Sequence, residues 1–188
     1  HRLLDRMLGN DGAPASPEGP GESRSLDLVF SLPAALRGPI ETRVPGALAT
    51  DEVFRRLFQG AKNSLRIFSP YVDPSFTAMA RETRVPIQIV TTLREARMKS
   101  SPVLERLAAE RPLSVRYLHE ARAKSQMFQL HAKMILADAA MAYVGSANFT
   151  DTSLHYNFEL GLYIEDRETI ARLHAVFDSV FAFASRAG

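Results

Sequence analysis

Between residues 131 and 159 the chain collects side chains suited to holding and attacking a phosphodiester: His131, Lys133, Asp138, Gly145-Ser146-Ala147-Asn148 and Glu159. Lysine brings a point charge with three donors, and the asparagine amide brings two more donors for non-bridging oxygens. A neutral imidazole is a nucleophile and a base at pH 7. A carboxylate can hold that imidazole in one tautomer and orientation. The positive charge comes from side chains, and no acidic cluster of the kind that binds magnesium accompanies the set. Metal-independent chemistry, with no cofactor, is the expectation.

These groups need a sheet to position them. HAKMILAD (131–138) and MAYVG (141–145) read as a strand pair across a tight turn. Residues two apart on a strand share a face, so His131 and Lys133 point together, whereas Asp138 has the opposite parity. NFELGLYIED (157–166) alternates strictly: Phe158, Leu160, Leu162 and Ile164 share one face, Glu159 and Gly161 the other. Gly161 leaves room beside the carboxylate.

Upstream, LDLVFSL (26–32), SLRIFSP (64–70), VPIQIVTTL (85–93) and LSVRYLH (113–119) read as strands. The run 85–93 suggests burial on both faces. Helices are expected over 51–62, capped by Thr50 or Asp51, and over 74–82 and 101–110. A C-terminal helix is expected over 166–184, with Ile170, Leu173, Phe177, Val180 and Phe181 on its apolar face. This order predicts an α/β fold with a mixed sheet sandwiched by helices. Residues 1–25 read as a helix remnant, with Leu3, Leu4, Met7 and Leu8 at near-helical spacing, and a Gly/Pro-rich linker; 26–188 form the domain.

Composition narrows the class. The 188 residues are 46% hydrophobic and 23% charged, as in ordinary globular chains, which excludes a disordered, collagen-like or coiled-coil protein. With no cysteine, disulfides, thiol nucleophiles and Cys-ligated metals are excluded. No apolar run reaches the roughly 18 residues of a membrane span, and no signal-peptide pattern is visible, so a cytoplasmic location without membrane attachment is expected. Net charge is only +2, so a polyanion site must come from local clustering.

The pattern H-x-K-x4-D followed by G-S-x-N resembles the HKD signature of the phospholipase D superfamily, and the likeness extends over roughly 45–185. The resemblance implies that His131 attacks phosphorus and forms a phosphohistidine. It implies that Lys133 and Asn148 hold the phosphate, Ser146 supports them, Asp138 is structural and Glu159 orients the histidine. Sites of this family use two facing motifs, and this chain has one: His1, His119, His155 and His174 lack a lysine two residues on. The implied working unit is a homodimer, or a pair with a partner HKD subunit, with a two-fold axis bringing two imidazoles together.

Small single-motif members of the family resemble nucleases, so DNA is favoured over RNA as substrate, with endonucleolytic hydrolysis expected. Arg94, Arg97 and Lys99 follow one strand; Arg122 and Lys124, beside His119, follow another. Both sites are strand carboxyl ends, where open α/β sheets bind ligands. Tyr71, Phe128, Phe149 and Tyr156 are candidates for packing or for stacking on bases. His155 is a candidate substrate contact or a plain loop residue, and His174 is expected to be exposed or at a core edge. The layout also resembles single-motif chains of bacterial antiviral defence operons. Two alternatives stand beside the nuclease reading. One is a non-catalytic nucleic-acid-binding or scaffolding subunit of a defence complex. The other is a phospholipid-directed phosphodiesterase, which needs an interfacial apolar surface that the sequence does not display.

Overall fold

A computed structural model describes residues 26–92, 101–118 and 130–184. In chain order the elements are β1 (Leu26–Ser31), α1 (Ala34–Arg43), β2 (Leu48–Ala49), α2 (Thr50–Gly60), β3 (Leu65–Phe68) and α3 (Pro74–Arg81). They continue with β4 (Ile87–Thr92), α4 (Ser101–Glu110), β5 (Leu113–Leu118), β6 (Lys133–Ala137), β7 (Met141–Gly145), α5 (Asp151–His155), β8 (Glu159–Ile164) and α6 (Arg167–Phe183). The eight strands form one sheet in the order β2-β1-β8-β7-β6-β3-β4-β5. β3, β4 and β5 run parallel; β6, β7, β8 and β1 alternate direction. The expected mixed α/β sandwich is therefore present.

Alternation along the strands sorts the core into two layers. On one face Ile67, Ile89, Ile135, Tyr143 and Tyr163 pack under Val53, Phe54, Leu57 and Phe58 of α2, Phe76 and Met79 of α3, and Leu104 and Leu107 of α4. On the other, Phe68, Val90, Met134, Leu136 and Ile164 pack under Ile170 and Phe177 of α6. Ile87, Ile89, Val90, Thr91 and Thr92 of β4 are all buried, as its two-faced apolar run predicts.

Three departures have local causes. α1 includes Gly38 and Pro39, whose helix propensity argues against a helix, and its Leu36 N–H bonds back to Pro33 O at 2.8 Å. α2 begins at Thr50 with Ala49 as its N-cap and no side-chain cap; its first turn carries Asp51 and Glu52, which suit the positive end of the helix dipole. β6 begins at Lys133, so His131 stands on the lead-in rather than on the strand.

α6 covers only part of its face. Leu26, Leu28 and Leu160, which share that face of β1 and β8, are 48%, 42% and 49% exposed, and the adjoining Phe158 is 60% exposed. The apolar surface absent from the sequence reading is thus real, because an alternating strand shows which face is apolar but not whether a helix covers it.

Candidate active site

The antiparallel registers bring the motif to one end of the sheet. Lys133 of β6 pairs with Gly145 of β7, and Gly145 with Gly161 of β8. Glu159 lies one step further toward the same end, opposite Ser31. His131 precedes Lys133, and Ser146 and Asn148 follow Gly145. One end of three neighbouring strands thus carries every motif residue except Asp138.

His131 is exposed and Lys133 is buried. The Lys133 ammonium lies 3.2 Å from His131 Nε2 and 3.4 Å from Nδ1. The ammonium thus lies beside both ring nitrogens, and which of them accepts depends on the tautomer. Burial pulls the lysine below its ordinary pKa, and the charge of Glu159 partly offsets that.

Glu159 is buried and multiply bonded. Its Oε2 accepts from Ser146 Oγ at 2.5 Å and its Oε1 from Asn157 Nδ2 at 3.2 Å. Ser146 is itself fixed against β8: its N–H donates to Leu160 O at 3.0 Å, and its Oγ accepts from Leu160 N at 3.1 Å. Among the described residues the carboxylate's hydrogen bonds go to Ser146 and Asn157, and none goes to His131. Within one chain Glu159 orders the serine and biases the lysine.

The space over Gly161 is filled, not open. The Tyr143 ring lies across both glycines of the row. A Cβ on Gly145 would meet Tyr143 Oη at 2.3 Å and Gly161 Cα at 2.7 Å; one on Gly161 would meet Tyr143 Cε2 at 2.4 Å. The Tyr143 hydroxyl accepts from Ala147 N at 3.3 Å, which steadies the turn leading to Asn148. Burial, chiefly, pushes the phenol up to about 12, so it stays protonated at neutral pH. Asn148 is half-buried, and its Oδ1 is buried without a partner among the described residues. Its NH2 is the end that a phosphate oxygen could use.

Asp138 sits at the other end of the sheet, in the β6–β7 turn with φ 54°. Its carboxylate accepts from the backbone N–H groups of Lys62, Asn63 and Ser64 at 2.7, 2.9 and 2.8 Å. Burial raises its pKa, but these donors outweigh it and hold the carboxyl below the ordinary range. Its place just past the far end of β6 from Lys133 puts it there.

Of the other candidates, Phe149 is buried against Phe54, Phe58 and Phe76, so it is a packing group. Tyr156 is 67% exposed beside the site, and Tyr71 is half-buried. His155 is exposed and pairs with Asp151 at 3.7 Å on its own helix. His174 is half-buried: Arg66 donates to its Nδ1 at 2.9 Å, and its Nε2 donates to Asp138 O at 2.5 Å. Arg94, Arg97, Lys99, His119, Arg122, Lys124 and Phe128 lie outside the described residues. The sequence reading missed Asn157, Tyr143, Ser69 and Asp73. Tyr143 was signalled by its place two residues before Gly145 on one face, and Asp73 by the Asp-Pro helix start.

A mixed sheet with helices on both faces, carrying a His–Lys pair, an asparagine turn and a buried glutamate at one end, defines the class. The chain belongs to the phospholipase D superfamily: residues 54–181 match the family model described as cardiolipin synthase, PLD-like domain. Its fold is similar to that of NucT from Helicobacter pylori (TM-score 0.64, 15% identity, covering 86% of this chain and 99% of that one). It is similar also to Nuc from Salmonella typhimurium, a phospholipase D family member (TM-score 0.64, 17% identity, covering 85% and 95%). A weaker likeness links it to TrmBL2, an archaeal chromatin protein with a novel mode of DNA binding (TM-score 0.53, 14% identity, covering 99% and 59%). At these identities the likeness is one of fold. No curated protein sequence matches the chain. Among the described residues no helix is long and apolar enough to cross a membrane.

Proposed function

We propose that the chain is a phosphodiesterase, a nuclease acting on DNA without a metal ion, through a phosphohistidine in a site completed by a second chain. The observation that carries the reading is the buried Lys133 ammonium 3.2 Å from the exposed imidazole of His131. In this reading a His131 ring nitrogen attacks phosphorus and the bond to the leaving oxygen breaks. Lys133 and the Asn148 amide take the growing negative charge on the non-bridging oxygens. One imidazole per chain cannot be nucleophile and proton donor in the same step, so a second His131 protonates the leaving oxygen. Water then cleaves the phosphorus–nitrogen bond and frees the phosphate. A homodimer or a partner chain with its own motif supplies that imidazole. Arg94, Arg97, Lys99, Arg122 and Lys124, known here from sequence alone, are the expected salt-sensitive contacts to the polyanion.

The test is DNA cleavage in EDTA by the intact protein, by His131→Ala and by Lys133→Ala, with light scattering on the same samples. Activity is expected to survive EDTA, to vanish in both variants and to travel with a dimer. Dependence on Mg²⁺, or cleavage by His131→Ala, refutes the mechanism; a fully active strict monomer refutes the shared site. A second reading, cleavage of phospholipid head groups, is favoured by the exposed Leu26, Leu28, Phe158 and Leu160. Head-group release from anionic vesicles by a protein inert on DNA would replace the first reading with the second.

A further inference from the structure

The turn that carries Asn148 is braced by a segment outside the motif. After β3 the chain runs Ser69-Pro70-Tyr71-Val72-Asp73 into α3, and Val72 forms an isolated bridge with Phe149. Phe149, next to Asn148, is held at both ends of its backbone: its N–H donates to Ser69 Oγ at 3.4 Å, and its C=O accepts from Asp73 N at 3.0 Å. The Asp73 carboxylate adds a second tie. Its Oδ2 accepts from Asp151 N at 2.8 Å, while its Oδ1 caps α3 by accepting from Ser75 N at 2.8 Å. The segment is itself fixed on the sheet, since Thr91 and Thr92 of β4 donate to Pro70 O at 3.1 and 3.2 Å.

Asn148 has no such anchor of its own. Its Oδ1 is without a partner among the described residues, so the direction of its amide follows from the backbone on either side. On one side Tyr143 holds Ala147; on the other Ser69 and Asp73 hold Phe149 and Asp151. Among the described residues, Asp73 is the side chain that ties this turn to the start of α3.

We propose that Asp73 is a positioning residue for the reaction: it clamps the Asn148 turn to the N-terminus of α3 and thereby aims the Asn148 amide at the phosphate. This role rests on the phosphodiesterase reading. A misplacement of about 1 Å can cost about a hundredfold in rate, so loss of one of two ties predicts a fall of about tenfold or more. The amide acts on charge that develops in the transition state, so kcat falls while KM changes little.

The experiment compares Asp73→Ala, Asp73→Asn, Asn148→Ala, the double variant Asp73→Ala/Asn148→Ala and Asp166→Ala. Asp166 caps α6 through Thr169 N at 2.7 Å, away from the site, and controls for the loss of a helix cap. Asp73→Asn keeps a good capping oxygen but turns an NH2 toward Asp151 N–H, so it loses the clamp while keeping the fold. Both Asp73 variants are expected to lower kcat about tenfold or more, and Asp166→Ala to leave it unchanged. In the Asn148→Ala background, Asp73→Ala is expected to add no further loss. A wild-type kcat in folded Asp73→Asn, or losses that multiply in the double variant, overturns the role while leaving the phosphodiesterase reading intact. A wild-type protein inert on every phosphodiester overturns both.

Discussion

Replacing Asp138 separates the member of the motif that builds the fold from those that face the substrate. Its carboxylate accepts three backbone N–H groups from the turn between α2 and β3, and its own backbone has φ 54°. A hydrogen bond to a charged acceptor is worth about 1.5–3 kcal/mol when buried, so the half-buried Ser64 donor counts for about 1.5 kcal/mol. Lys62 and Asn63 are exposed, and water takes over their donors on truncation, leaving about 0.5 kcal/mol each. Alanine at positive φ adds about 1 kcal/mol. Asp138→Ala should therefore cost about 3–4 kcal/mol, which for a domain of this size lowers Tm by about 10 °C. Asn keeps the two bonds at Oδ1 and tolerates the left-handed backbone, so Asp138→Asn should cost about 1–1.5 kcal/mol. Because the native carboxyl is held below the ordinary range, its contribution is present above the unfolded pKa. It is lost as pH falls through the depressed value. The assay is urea unfolding at pH 7 and at decreasing pH, with cleavage rates per folded molecule at 25 °C. The midpoint should fall with an unchanged m-value, and folded Asp138→Asn should cleave at the wild-type rate. A fully folded but inactive Asp138→Asn, or an unshifted midpoint in Asp138→Ala, would refute the reasoning.

Two further outcomes follow from Tyr143 and its neighbours. Gly161→Ala drives a Cβ into the Tyr143 ring and should cost about 3 kcal/mol, much of it recovered in a Gly161→Ala/Tyr143→Leu double variant. Gly145→Ala should be recovered less, because Gly161 Cα still stands 2.7 Å from its Cβ; equal recovery in urea unfolding would contradict the packing. Tyr143 and Tyr163 are both pushed up to about 12, chiefly by burial, so these two tyrosines should ionise late in an absorbance titration at 295 nm. The native state then holds protons that the unfolded chain releases from about pH 10, so stability should fall steadily between about pH 10 and 12. Native titration of all five tyrosines near 10 would show that neither phenol is buried.

What was legible in the sequence is what a period of two can encode. Parity on β6 puts Lys133 with Ile135 and Ala137; parity on β8 puts Glu159 with Gly161 and Tyr163. Both readings survive in the sheet, and with the tight β6–β7 turn they are enough to place the motif at one strand end. Parity is silent on what fills the space in front of a residue. Gly161 read as room beside a carboxylate, yet a ring from the neighbouring strand occupies it, and the glycine is required by the tyrosine. Contacts between distant segments are equally silent. Asp73 meets Asp151 across 78 positions and Asp138 meets Lys62 across 76, and neither pair leaves a local pattern beyond a helix cap or a turn. Glu159 reads as the histidine's orienter; within one chain its hydrogen bonds go to Ser146 and Asn157, both from the connection that leads into β8. The chemistry-bearing residues were legible because they lie on β6 or β8 or within three residues of an end of β6 or β7. The residues that aim them were not, because aiming is done by backbone amides and rings that the fold, rather than the spacing, brings together.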